Sequence, residues 1–432
     1  MTRQPKIVAT LPGYTPRKFL HDGIAGITVA LVALPLSIAI AIASGAPPAA
    51  GLFTAIVAGF LISALGGSRV QVGGPTGAFI VVVYGVIHDH GFDGLLFATL
   101  MAGAILMIAG FMRAGRFIRM IPDAVIEGFT IGIAVVIAVS QFKELAGMGG
   151  GALPAEFIPK IEGLWALRDS IGLPSLGLGI ATFIAIIVLR RIWPIIPWPL
   201  VVIALASVYA GAILPSVETV GSRFGELPGG LPIPRLPDFP GFDQVRELLP
   251  AALIIAFLAG VESLLSAIVA DRLIEGEHRP NAELIAQGAA NLASPLFGGL
   301  PATGAIARTA TNVNAGGRTP IAGIIHALVI WLVLALAAPL AGKMAMPALA
   351  GLLMVTAWTM SEPHRWPARL ALPRGELWLL LLTAFLTIFA DLTVAIAVGT
   401  LIGIAMRRET GDDGDGPPRW HTPFRWGGMR RK

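Results

Sequence analysis

Two short stretches of the 432-residue sequence echo one another, GPTGAFI at 74–80 and PATGAIA at 301–307, so that Thr76, Gly77 and Ala78 correspond to Thr303, Gly304 and Ala305. Each stands at the start of an unusually short apolar run. Gly and Pro at such a start leave the first backbone N–H groups without intrahelical partners, and the helix dipole adds partial positive charge there. Two such ends that meet in a dry interior make an anion site from backbone alone. Small side chains let an anion approach closely, and the Thr hydroxyls can donate to it. Small residues also permit tight helix contacts. Recurrence at equivalent places in the two halves favours the site.

Glu262 lies near the middle of the apolar run LIIAFLAGVESLLSAIVAD, where a carboxylate is costly and marks function by default. Ser266 is one helical turn on and shares its face. The pair suits proton carriage or cation binding, either of which couples an ion gradient to substrate movement. Arg308, in GAIARTATN, adds positive potential to the anion site or neutralises Glu262; the sequence leaves both open. Asp271 and Arg272 read as interfacial, Glu127 and Asp391 as weaker candidates near segment ends, and Gln141, Asn291 and Asn312 as interhelical hydrogen-bond partners.

The elements that must position these groups are membrane helices. The chain is 55% hydrophobic and 13% charged, with a mean hydropathy of +0.78, far from the composition of soluble domains. Its apolar runs have the length that a bilayer core imposes. Fourteen segments are expected, near 24–44, 49–65, 75–88, 94–112, 124–140, 175–189 and 198–214 in one half, and 248–270, 283–296, 302–313, 318–340, 345–358, 376–390 and 392–407 in the other. The echoed motifs open the third segment of each seven, and an odd offset of seven inverts one half relative to the other. With the N-terminus inside, 23 of the 31 Lys and Arg fall on the inner side and 7 outside, with Arg308 within a segment. Both termini are therefore expected in the cytoplasm. RAGRFIRM at 113–120, Arg190, Arg191, Arg407 and Arg408 carry much of this bias.

The expected organisation is a cytoplasmic N-terminus at 1–23, a first repeat at 24–214, an external linker of little regular structure at 215–247, a second repeat at 248–407 and a short cytoplasmic tail at 408–432. The first apolar run has no cleavage site and reads as a retained helix. Zero cysteines exclude disulfides and thiolate metal sites, and the HDHGFD turn with His88 and His90 reads as a solvated loop. The pI near 9.9 reflects topology, because the basic residues sit at the ends of apolar runs; no nucleic-acid face is expected.

The chain resembles the SulP family of anion transporters, bacterial relatives of the SLC26 exchangers. The resemblance rests on DGIAGITVALVALPLSIAIAIASGAPPAAGLFTAI, VGGPTGAF, IPDAVIEGFTIGIAV, GVESLLSAIVAD and SPLFGGLPATGAIARTATNVNAGGRTPIAG, within about residues 20–325. It implies an all-α polytopic fold of fourteen transmembrane segments in two inverted repeats of seven. These divide into core and gate domains, with half-helices in segments 3 and 10. The implied substrate site lies between those half-helix ends, facing segments 1 and 8. Residue by residue it comprises Leu36, Ser37 and Ile40 after Pro35, then Thr76, Gly77 and Ala78, and Thr303 to Ala307 with Arg308; Glu262 is the position linked to H⁺ or Na⁺ coupling. Many relatives have Gln where this chain has Leu36, so no sulfate preference carries over. The C-terminal STAS domain of most members is expected to be missing, which leaves regulation and a homodimer open.

The reading that results is a secondary active transporter in the inner membrane, for sulfate, bicarbonate or a dicarboxylate, driven by H⁺ or Na⁺ at Glu262 with elevator-like core movement. A passive anion channel or an exchanger of the same fold is the alternative. No cofactor beyond the coupling ion is expected. An enzyme would call for clustered carboxylates or a His-rich metal set, and nucleobase symport sits poorly with TGAIARTATN.

Overall fold

The computed structural model describes residues 4–115, 122–151, 153–193, 196–238, 241–390 and 392–409. Asp391, residues 116–120 of the basic run and the tail from 410 lie outside them. Seven helices among the described residues are long and apolar enough to cross a membrane: α1 (Pro16–Ala43), α2 (Pro48–Leu65), α3 (Ile80–Phe111, entered through the turn Gly77–Phe79), α4 (Asp123–Leu145), α5 (Leu173–Ile192), α7 (Phe242–Ile274) and α10 (Ile321–Gly342). Between and after them come α6 (Trp198–Ile213), α8 (Pro280–Ala293), α9 (Ile306–Asn314), α11 (Met346–Met360), α12 (Arg374–Phe389) and α13 (Leu392–Glu409). Large apolar side chains such as Leu205, Val208, Leu336 and Leu401 stand on the outer surface, where hydrocarbon rather than water is the compatible solvent.

Proline opens several of these helices, at Pro16, Pro48, Pro280 and Pro347, where its missing N–H costs no bond. The third and fourth expected segments run together in α3, broken by one non-helical residue, Gly91, at φ 73°. The linker expected to be irregular contains a helix at Val220–Phe224, closed by reciprocal Thr219 and Ser222 bonds. Its Arg223 pairs with Glu144 at 2.7 Å and also with Glu218.

The helices pack as two groups. In one, α3 lies along α7 and α8, α10 along α1 and α2, and α9 against α7 and α1. In the other, α4 lies along α11 and α12, α5 along α11 and α6, and α12 along α13. Each group takes helices from both halves of the chain. The first group is stapled at one end by Asp22, fully buried, which accepts from Tyr14 Oη at 2.9 Å, Arg318 N at 2.8 Å and Thr319 Oγ1 at 2.6 Å. The second is stapled by Glu127, whose oxygens take Arg365 Nη2 at 2.8 Å and Arg369 Nε at 3.0 Å, while Glu362 takes both arginines at 2.8 Å.

Candidate functional site

Non-helical backbone inside a membrane protein must find partners within the protein. Here the two interrupted segments satisfy each other. A two-residue strand β1 (Gly73–Gly74) pairs antiparallel with β2 (Thr303–Gly304), in the register Gly73 with Gly304 and Gly74 with Thr303. The Ala305 N–H extends the pairing to Val72 O at 3.1 Å. The pairing holds two helix starts side by side. One is the turn at Gly77, preceded by Thr76 in extended conformation; the other is α9, preceded by Ala305. No side chain caps either start, so the N–H groups of Gly77, Ala78, Ile306 and Ala307 have no intrahelical acceptor.

The echoed triplets therefore do not occupy equivalent positions. Thr76 is the cap residue of the first start, whereas Thr303 and Gly304 form the strand of the second and Ala305 is its cap. The sequence correspondence is offset by two residues from the structural one. The two hydroxyls differ accordingly. Thr76 Oγ1 donates to Glu262 Oε2 at 3.0 Å. Thr303, fully buried, donates to the Ala259 carbonyl at 2.9 Å, where its bond holds β2 to α7.

Arg308 does not pair with Glu262. Its buried guanidinium spans the first interrupted segment, with Nη2 donating to Ser37 Oγ at 3.0 Å and Pro75 O at 3.1 Å, and Nη1 to Gly73 O at 3.3 Å. Its Nε has no protein partner. Gly74, at φ 151°, lies so close that a Cβ there would enter the guanidinium. Ser37 is fully buried and also donates to Ala33 O at 2.7 Å. Ile40 is buried as well, whereas Ala307 is exposed at the α9 start. Ser266 Oγ meets Thr309 Oγ1 at 3.3 Å; that oxygen accepts the Val72 N–H. Glu262 is thus bonded at the first helix start and Ser266 at the strand pair.

Several residues that sequence reasoning passed over shape this region. Gln71 Nε2 donates to Ser263 Oγ at 2.8 Å, and Ser263 Oγ donates to Glu283 Oε1 at 2.9 Å. Glu283 also accepts from Gln287 Nε2 and from Gly67 N, both at 2.9 Å, which satisfies a carboxylate with no exposed surface. His326, fully buried on α10, has both ring nitrogens without a protein partner. Asn291 and Asn312 do bridge separate elements, binding Ala302 O and Val70 O at 2.8 Å each, but the hydrogen bond of Gln141 is to its neighbour Ser140. Across from the first helix start lie side chains of the second group: a Cβ at Gly77 would stand 3.3 Å from Ile137 Cδ1 and 3.6 Å from Met360 Sδ. Both helix starts thus belong to the first group, and the Gly77 start faces the second.

Comparison with known proteins identifies the fold and the family. YvdB of Bacillus subtilis is 40% identical over 391 residues, covering 90% of this chain and 74% of that protein. The bicarbonate transporter BicA of Picosynechococcus is 32% identical over 406 residues, covering 89% and 69%. The solved transmembrane domain of a cyanobacterial BicA matches at a TM-score of 0.78 with 29% identity, over 90% of this chain and 98% of that one. Murine solute carrier 26 family member A9, an anion transporter solved in its inward-facing state, shares the fold at a TM-score of 0.84 with 17% identity, over 94% and 71%. The sulfate permease family model matches residues 19–405, and the chain therefore belongs to that family, as a multi-pass membrane transporter of small anions and not an enzyme.

Proposed function

We propose that the chain is a secondary active transporter that brings a small oxyanion, of the sulfate or bicarbonate class, across the inner membrane with both termini in the cytoplasm. The anion sits between the Gly77 and Ile306 helix starts, held by the free N–H groups of Gly77, Ala78, Ile306 and Ala307. Arg308 stiffens the turn beneath them and adds positive potential. The first helix group, which carries both starts, moves as a body against the second. Sulfate and bicarbonate lead the substrate list because relatives are named for them.

One observation carries the coupling part of the reading: the 3.0 Å bond from Thr76 to Glu262. It ties the one carboxylate in the middle of α7 to the cap residue of an anion-binding helix start. A proton or Na⁺ arriving at Glu262 changes what the Thr76 hydroxyl can do and offsets the charge of the arriving anion.

Uptake of labelled sulfate and labelled bicarbonate into proteoliposomes, with H⁺ and Na⁺ gradients imposed separately, tests the proposal. Accumulation above equilibrium with one gradient and its loss in Glu262→Gln support it. Uptake that never exceeds equilibrium identifies a channel, and uptake that requires a trapped counter-anion identifies an exchanger. Concentrative transport by Glu262→Gln at the wild-type rate overturns the coupling assignment.

A further inference from the structure

A cavity lies between the two helix groups, away from Arg308. It has a volume of about 140 Å³ and is bounded by Ile80 and Tyr84 of α3 and by Val136, Ser140 and Lys143 of α4, with Lys160 closing it from the helix Phe157–Ala166. Ile80 follows Gly77 by three residues and Val136 adjoins Ile137, so the cavity opens next to the first helix start. A volume of this size admits a small oxyanion with one or two waters at about 30 Å³ each.

The charges around it do not cancel by contact. Lys160 is 6% exposed, and among the described residues its Nζ has neither a hydrogen bond nor an ion pair; it lies 5.3 Å from the Tyr84 ring centroid. Burial lowers the pKa of its ammonium, and the exposed Glu156 acts against this from beyond ion-pair distance. Lys143 Nζ donates only to the carbonyls of Gly150 and Gly151, at 3.0 and 2.6 Å. The one carboxylate on the wall, Glu144, is already paired with Arg223 at 2.7 Å. A buried lysine without a counter-ion is costly to retain. Its helix is nevertheless pinned in place, with Phe157 edge-on to Phe389 of α12 at 5.3 Å.

We propose that this cavity is an external capture site for the transported anion, with the Lys160 ammonium as its receptor and Lys143 adding to its field. The assignment rests on the transport reading above and on residues 146–172 facing outside. Lys160 belongs to a segment docked on the second helix group, whereas Tyr84 belongs to the first. Movement of the first group withdraws the ring from the ammonium, and the anion takes its place before descending one helical turn to Gly77.

The chain has no cysteine, so Lys160→Cys supplies a unique thiol. In proteoliposomes loaded for uptake of labelled sulfate and bicarbonate, this variant is expected to raise the external KM about five- to tenfold, the effect of removing one charge close to an anion in a hydrated site. Uptake Vmax and the half-saturation for efflux stay within about twofold, while efflux Vmax falls by about the factor by which the external KM rises, because the ratio of Vmax/KM for the two directions is fixed by the gradients alone. A membrane-impermeant cationic thiol reagent added outside restores the low KM and an anionic one does not. Lys160→Arg retains wild-type kinetics. Equal responses to reagents of either charge, an unchanged KM in Lys160→Cys, or equal KM rises in both directions overturn the capture site while leaving transport intact. Failure of the wild-type protein to carry either anion instead removes the transport reading, and this one with it.

Discussion

Arg308 is the residue at which charge and geometry can be separated. Its guanidinium donates to three protein acceptors, Ser37 Oγ at 3.0 Å, Pro75 O at 3.1 Å and Gly73 O at 3.3 Å. Two of these are backbone carbonyls on either side of Gly74, in the turn that delivers Thr76 to its place. Arg308→Lys keeps the charge but replaces a planar fork with a single nitrogen, which can serve one of the three acceptors well. Bonds from charged donors contribute about 1.5–3 kcal/mol each. Two are lost, one of them the longest, so the ordered turn is weakened by about 3 kcal/mol. At about 1.4 kcal/mol per decade, transport efficiency should fall about 100-fold in proteoliposomes matched for folded protein. Ser37→Ala removes one acceptor and should cost about tenfold. The double variant should cost less than the product, because the Ser37 bond is counted in both. Retention of efficiency within about twofold by Arg308→Lys would mean that Arg308 serves as a point charge, and the bracing argument would fail.

Other consequences follow from the same geometry. Gly304→Ala places a methyl group on the Gln71 amide, breaks its bond to Ser263 and should lower stability by about 2–3 kcal/mol, read as a lower unfolding temperature in detergent. Gly77→Ala meets Ile137 and Met360 at ordinary to tight distances and should fold normally while slowing transport, so a large stability loss there would contradict the placement of the helix start against the second group. Glu127→Gln leaves Arg369, itself 3% exposed, with one carboxylate instead of two and should cost about 2–4 kcal/mol; unchanged thermal stability would show the cluster to be inert. Burial, aided by its bond to Asp22, raises the Tyr14 pKa to about 12. Because the folded-state value lies above the usual one near 10, the stabilisation is complete below pH 10 and is lost as pH rises towards 12. Tyr14→Phe should cost about 1 kcal/mol at neutral pH and flatten this alkaline decline in a pH series of unfolding temperatures.

The parts of this fold that were legible in the sequence are those on which the bilayer itself imposes a rule. An apolar run must be long enough to cross, and a carboxylate in its middle must have a purpose, so α1, α2, α7 and Glu262 could be read without coordinates. Interrupted helices were legible because Gly and Pro cannot be hidden in an apolar run. The pairing between the interruptions was less legible. The triplet at 76–78 and that at 303–305 look equivalent, yet the strand register joins Gly73 to Gly304. Register is set by which backbone groups come within reach of each other after the helices pack, and by Arg308 reaching Gly73 and Pro75 across the chain. Neither cause has a local signature. Glu283 illustrates the same limit: near a helix start it resembles an interfacial acid, and only the fold brings Gly67, Ser263 and Gln287 around it.

Lys160 shows what such long-range placement means for function. In the sequence it is one more cation in a loop outside the membrane segments, indistinguishable from Lys143 or Arg168. The structure folds that loop back between the helix groups and closes a cavity with it. The charges consequently fall on different bodies: Glu262 and Arg308 with the helix starts, Lys160 with the group they face. If the first group moves as proposed, Glu262 and Arg308 travel with the anion and keep their contacts throughout, whereas Lys160 is left behind. A residue of the first kind must affect transport in both directions. One of the second kind changes the half-saturation only from its own side, which is why the sidedness of KM in the Lys160 variants discriminates between capture and general damage better than their rate does.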